Sequence, residues 1–444
     1  MTKSRLDALL LPLLGSILFI MLGALMEHSG PLGQEDFKGL YYGARCALRN
    51  LDPYRPNQPL LEYRAEGGKF PSSPRLDDAL RQVVANYVNV PTTVLLVAPV
   101  AALPWQAAVV VWMILTGAAF LLASLLVWNA ASATAPWLSG GLLCLLIVNS
   151  ELLLYSGNLA GIAVSLSVIA ACCFLQNRFV LAGVLCLAIA LAMKPQDAGL
   201  IWLYFLLAGA AQRKRALASL AVTAAIALAA VLWISHIAPH WWPELEANVS
   251  ASFSGHGLNN PGRENLSARG FGMMNSLQPM FALISDSPRF FNLASCAVCA
   301  VPLLLWCLKT VRAPHSQRSA WFALASISAL GMLPVYHRTY DAKLLLLAIP
   351  ACASLWKQGG APRWIALALT AAAILANGDL FWIVVFNYTG FSLRSLNIGI
   401  SIVPLVLLAA GIFYLYLYLR PTQAQDEPGL TPQLVAAQPS STPA

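Results

Sequence analysis

Residues 105–128 read WQAAVVVWMILTGAAFLLASLLVW, a run without one charged side chain. A helix rises about 1.5 Å per residue, and a bilayer core of about 30 Å needs roughly 20 apolar residues to cross it. A segment in lipid must also satisfy all of its backbone groups internally, which a helix does. Residues 105–128 therefore read as a membrane-spanning helix. Working outward, runs of the same kind recur at about 8–27, 137–155, 157–176, 179–193, 197–211, 216–238, 291–310, 320–336, 341–356, 363–386 and 397–419. The expected fold class is an all-α polytopic membrane protein, a bundle of about twelve transmembrane helices with a long first outer loop carrying surface helices.

The composition agrees. Of 444 residues, 58% are hydrophobic and 10% are charged, whereas soluble domains carry about 25% charged residues. That excludes a water-soluble enzyme, a disordered chain and a nucleic-acid-binding domain. The net charge of +8 reads as membrane orientation, because Lys and Arg collect in short cytoplasmic connections. With the N-terminus inside, behind Lys3 and Arg5, the cytoplasmic segments receive Arg178, Arg213-Lys214-Arg215, Lys309, Arg312, Arg318, Lys357, Arg363 and Arg420. The short outer connections hold only Lys194, Arg338, Lys343 and Arg394. The first helix has no small-residue cleavage site behind it and reads as a retained anchor. Residues 1–420 form one membrane domain with outer loops 28–91 and 239–290, followed by a disordered cytoplasmic tail over 421–444 rich in Pro, Gln, Ser and Thr. The apolar stretch 92–104, broken by Pro99 and Pro104, is too short to span and is expected at the outer interface or re-entering the membrane edge. Nine cysteines, mostly inside apolar runs, read as small core hydrophobes.

This topology places the polar clusters on one face. Glu35 and Asp36 directly follow the first helix, and Phe37, Leu40, Tyr41, Ala44 and Leu48 repeat at helical spacing, so the loop opens as an amphipathic surface helix. A carboxylate at its start can act as general base towards a hydroxyl, or simply complement the helix dipole. Lys194, Arg338 and Lys343 stand at outward helix ends, where they can meet an anionic phosphate; the alternatives are snorkelling for Lys194 and a local salt bridge for Arg338. Glu151 should face the bundle interior. His236 and His240 lack a carboxylate at ligand spacing, and no metal or other cofactor is assigned.

Asp36-Phe37 through Tyr41-Tyr42, Asp52-Pro53-Tyr54, Val90-Pro91 to Pro99 with Leu103-Pro104 and Trp112, Gly157-Asn158-Leu159, Ala182-Gly183 to Lys194-Pro195-Gln196 and Tyr336-His337-Arg338 occur in an order that resembles the GT-C superfamily of polytopic glycosyltransferases, specifically family 87. The resemblance implies inverting transfer of a hexose, mannose in the relatives it points to, from a polyprenyl-phosphate sugar to a lipid-linked or glycan acceptor. Chemistry would occur on the non-cytoplasmic face of a bacterial inner membrane. It implies Asp36 as general base with Glu35 its competitor. The negative charge gathering on a departing phosphate makes Lys194, Arg338 and Lys343 its expected contacts, and substrate contacts are expected from Tyr41, Asn158, Gln196, Asn260, Arg263, His337 and Tyr340. Rival readings are a twelve-helix secondary transporter, disfavoured because the two halves show no evident similarity, and a related glycan ligase or polymerase with diphosphate-linked donors.

Overall fold

The computed structural model describes residues 2–29, 33–263, 265, 274–312, 316–390 and 393–420; the expected tail over 421–444 lies outside them. The described chain is helical, and its only bridge between extended segments joins Met274 to Arg338. Every expected span coincides with helix, but the lengths divide into two classes. Among the described residues six helices are long and apolar enough to cross a membrane: Lys3–His28, Trp105–Ala131, Pro136–Ser156, Ala210–Ile237, Pro288–Arg312 and Asn397–Leu419. The other six are shorter. Ala160–Leu175 and Ala361–Ala376 have 16 residues each, about 24 Å at the helical rise. The expected span 341–356 opens as a 3-10 segment, Asp341–Leu347, before Ala348–Gln358. The span 363–386 is divided at Asn377-Gly378 into Ala361–Ala376 and Asp379–Thr389. The expected bundle of about twelve apolar helices, several of them short, thus consists of six long spans and six shorter elements, the latter packed largely inside the bundle. Apolarity alone did not separate the two classes, because a helix enclosed by protein is as apolar as one facing lipid.

The first helix lies against Pro136–Val148. A Cβ on Gly140 would sit 2.6 Å from the Ala8 carbonyl, and one on Gly15 would sit 3.1 Å from Cys144 Cα. Glycine at both sites lets the two backbones touch, the usual device where no hydrophobic force drives helices together in lipid.

Above this bundle the first loop builds a separate apolar cluster from Glu35–Leu48, Gln58–Ala65, Pro74–Ala85 and Pro91–Ala101. The amphipathic helix expected after residue 34 is present, with Phe37, Leu40, Tyr41 and Ala44 buried. Tyr42, Gly43, Cys46 and Ala47 on its other sides are buried too. It is wrapped by the neighbouring short helices rather than laid open on a surface. Gly43 permits this, because the Tyr87 ring occupies the space 2.1 Å from where its Cβ would be. The 92–104 stretch is likewise a buried helix, Pro91–Ala101, whose Thr92 and Thr93 hydroxyls donate to the Ala192 and Met193 carbonyls. That contact ties the first loop to the end of Val180–Met193, where Lys194 lies.

Candidate active site

Gln34 sets the geometry at the start of Glu35–Leu48. Its backbone is left-handed, at φ 58°, its amide N–H donates to the Tyr155 carbonyl at 2.6 Å, and its side-chain amide donates to Leu154 O. The helix therefore begins fastened to the turn after Leu152–Ser156. Gly157 in that turn has φ +64°, and a Cβ there would lie 2.3 Å from Gln34 Oε1, so both backbone and space require glycine. The Trp112 indole N–H donates to Gly157 O at 2.8 Å, and Phe37 stacks on Trp112 with ring centroids 4.8 Å apart.

This anchoring brings Asp36 to Asn158. Asn158 Nδ2 donates to Asp36 Oδ2 at 2.9 Å, while Asn158 Oδ1 accepts from Ala160 N–H at 2.8 Å, which fixes the orientation of the amide. Burial pushes the Asp36 carboxyl above its ordinary value and outweighs the opposing Asn158 hydrogen bond and the charges of Arg338 and Lys194. Burial, with the Asp36 charge adding, carries Glu35 up to about 7, against the pull of Arg338 and Lys38.

That shift has a checkable consequence. The folded chain holds the Glu35 proton more tightly than the unfolded chain, so the associated stability is complete below about pH 4.5 and is lost as pH rises through about 7. Glu35→Gln should remove this slope, raising the melting temperature by roughly a few degrees at pH 8 relative to wild type, with little gain at pH 4.5. Parallel pH profiles of the two proteins by thermal denaturation in detergent would refute the assignment.

Opposite the carboxylates lies the segment Tyr336–Asp341. Arg338 donates from Nη2 to Leu258 O at 3.0 Å and Asn259 Oδ1 at 3.2 Å, and Tyr336 OH donates to the same Asn259 oxygen at 2.7 Å. Arg338 Nε is buried without a hydrogen-bond partner. The backbone is pinned by Asn275 N–H donating to His337 O at 2.8 Å and Asn275 Nδ2 donating to Arg338 O at 2.6 Å.

Lys194 meets this segment from the other side. Its ammonium pairs with Asp341 Oδ1 and, at 3.2 Å, with Asp197 Oδ2, and it lies 4.9 Å from the Tyr340 ring centroid. His337 Nε2 is 3.2 Å from Asp197 Oδ1, and Arg338 N–H donates to Asp341 Oδ2 at 2.9 Å. Burial disfavours the charged imidazole, but the Asp197 and Asp341 carboxylates more than offset it and raise the His337 pKa above its ordinary value. Asp197, His337 and Asp341 each offer a ligand atom, all within 4.8 Å of one another, and among the described residues this group could hold a metal ion.

The structure thus gathers Glu35, Asp36, Asn158, Lys194, His337, Arg338 and Tyr340 around one region. The other candidates make their contacts elsewhere. Lys343 is buried, donating to Asn149 O at 2.6 Å and Asn377 O at 3.4 Å. Tyr41 donates to Leu103 O at 2.8 Å within the first-loop cluster. Gln196 is exposed. Asn260 bonds within its own loop to Gly255 O and Gly262 N–H, and Arg263 N–H donates to Asp286 Oδ1 at 3.0 Å. From that loop it is Leu258, Asn259 and Asn275 that reach Arg338. Glu151 is buried, as expected. Sequence reasoning passed over Gln34, and it placed Asp197 and Asp341 in the outer polar clusters, Asp341 as a local partner for Arg338, without assigning either to the site. The i,i+3 spacing of Lys194 with Asp197, and of Arg338 with Asp341, was the available signal for the last two. The left-handed backbone of Gln34 left none.

Residues 87–336 match glycosyltransferase family 87. No curated protein and no solved structure matches the chain. The match contains Asn158, Lys194 and Asp197 and ends two residues before Arg338; Glu35 and Asp36 precede it. Because it spans more than half of an all-helical chain with the long apolar helices of an integral membrane protein, the chain belongs to glycosyltransferase family 87.

Proposed function

We propose that this membrane glycosyltransferase moves a hexose, mannose first among the candidates, from a polyprenyl-phosphate sugar to an acceptor hydroxyl by inversion, with Asp36 as general base. The observation that carries this reading is the Asp36 carboxylate, held by Asn158 and set within electrostatic reach of an arginine that retains a buried, unpartnered N–H. In the reaction Asp36 takes the acceptor proton as the hydroxyl oxygen bonds to the anomeric carbon. The bond from that carbon to the phosphate oxygen breaks, and the polyprenyl phosphate leaves with the electron pair. A raised pKa strengthens such a base, provided it stays largely ionised at the working pH. Arg338 supplies the fixed positive charge that the departing phosphate needs. The raised Glu35 is the neighbouring carboxyl and competes for the base role.

Membranes from cells with and without the protein, incubated with polyprenyl-phosphate sugars labelled in the sugar, test the reading. Transfer of label that depends on the protein supports it, and the sugar accepted best identifies the donor. Absence of transfer from every such donor sinks it.

The basic-residue pattern further supports an outward-facing site on a plasma membrane. Single cysteines placed at Gln58 and at exposed Lys214, in a chain whose native cysteines are replaced, should react with an impermeant maleimide from opposite sides, Gln58 from outside. Labelling of both from one side would overturn the topology.

A further inference from the structure

We propose that Asp197, His337 and Asp341 form a metal-type ligand set whose resident cation is the ammonium of Lys194. The three are 2%, 1% and 0% exposed, and Lys194 is 9% exposed. Two carboxylates this deeply buried require compensating positive charge. They are arranged as metal ligands are, with one donor atom from each side chain within 4.8 Å of the others and His337 Nε2 against Asp197 Oδ1. Lys194 Nζ contacts Asp341 Oδ1 and Asp197 Oδ2, one carboxylate from each side of the cluster. It is a compact point charge with three donors, and the ring of Tyr340 covers a further direction at 4.9 Å.

Two consequences follow. The cation is covalently part of the chain, so chelators cannot remove it. It also orders the Tyr336–Asp341 segment, because Asp341 accepts from Lys194 through Oδ1 and from the Arg338 backbone N–H through Oδ2. The inference rests on the geometry of this cluster and not on the proposed reaction, so its test reads metal binding and stability rather than transfer.

The test removes the lysine and offers Co²⁺ to the full-length protein in detergent. Lys194→Ala should bind one Co²⁺, seen as visible absorption and a raised melting temperature, while wild type shows neither at the same concentration. Adding His337→Ala to Lys194→Ala should weaken Co²⁺ binding by about 100-fold or more. Cobalt binding by wild type that His337→Ala abolishes would overturn the proposal, since the ligand set would then hold a metal beside the lysine. A folded Lys194→Ala that binds no cobalt would overturn it equally. Should Lys194→Ala not fold, Lys194→Met is compared with Lys194→Met/Asp341→Asn, which removes one unpaired carboxylate while keeping an acceptor for Arg338 N–H. The double variant should melt higher. A double variant no more stable than Lys194→Met would show that the carboxylates do not depend on the ammonium.

Discussion

Asp36→Asn is expected to lower glycosyl transfer by about 10²–10⁴-fold, the usual contribution of a positioned general base, with donor binding and folding retained. Asparagine preserves the size of the side chain and leaves an oxygen to accept from Asn158 Nδ2, the 2.9 Å contact that orients the site. The loss would therefore belong to the proton and not to the scaffold. Glu35→Gln should be milder, since adjacent residues on a helix diverge by about 100° and Asn158 holds Asp36. Turnover measured with saturating donor separates the outcomes. Near-normal activity in Asp36→Asn with loss in Glu35→Gln would exchange their roles, and activity in both would remove the first helix of the outer loop from the chemistry.

The second large effect is expected at Arg338. Arg338→Met should weaken donor binding by roughly 30-fold or more, the cost of truncating one member of a buried hydrogen-bonded charge pair. Turnover should fall as well, because charge on the leaving phosphate grows towards the transition state. Arg338→Lys keeps the charge but loses the planar fork, and should recover only part of the affinity. Donor dissociation constants for the three proteins measure this directly. Equal values would return Arg338 to its contacts with Leu258 and Asn259 and leave the phosphate without its proposed partner.

Much of this arrangement was legible in the sequence, and the limits have physical causes. Long charge-free runs such as 105–128 announce themselves because lipid penalises every exception. The helix at Glu35–Leu48 was legible from its apolar spacing, as was the proximity of its acidic start to the bundle mouth. What periodicity could not reveal was enclosure: Tyr42 is buried against Tyr63 and Trp105, and Gly43 admits the Tyr87 ring, both long-range events. The site shows the same division. Arg338 and Lys194 were noticed as charges at helix ends, but the carboxylates that engage Lys194 come from 3 and 147 positions away in the chain. Asn260 and Arg263 were selected for their chemistry, whereas backbone direction chose Asn259. The family match separates a glycosyltransferase from the transporter that a count of helices had left open.

The Lys194 cluster also has a chronology. Lys194 and Asp197 lie within one helical turn and pair with each other, so this stretch is electrically neutral from the moment it leaves the ribosome. Asp341 is synthesised on the order of ten seconds later at ordinary rates of translation. The early pair lets the hairpin of Val180–Met193 and Pro195–Leu207 enter the membrane without an isolated charge, and the arrival of Asp341 then locks the finished bundle from its C-terminal half.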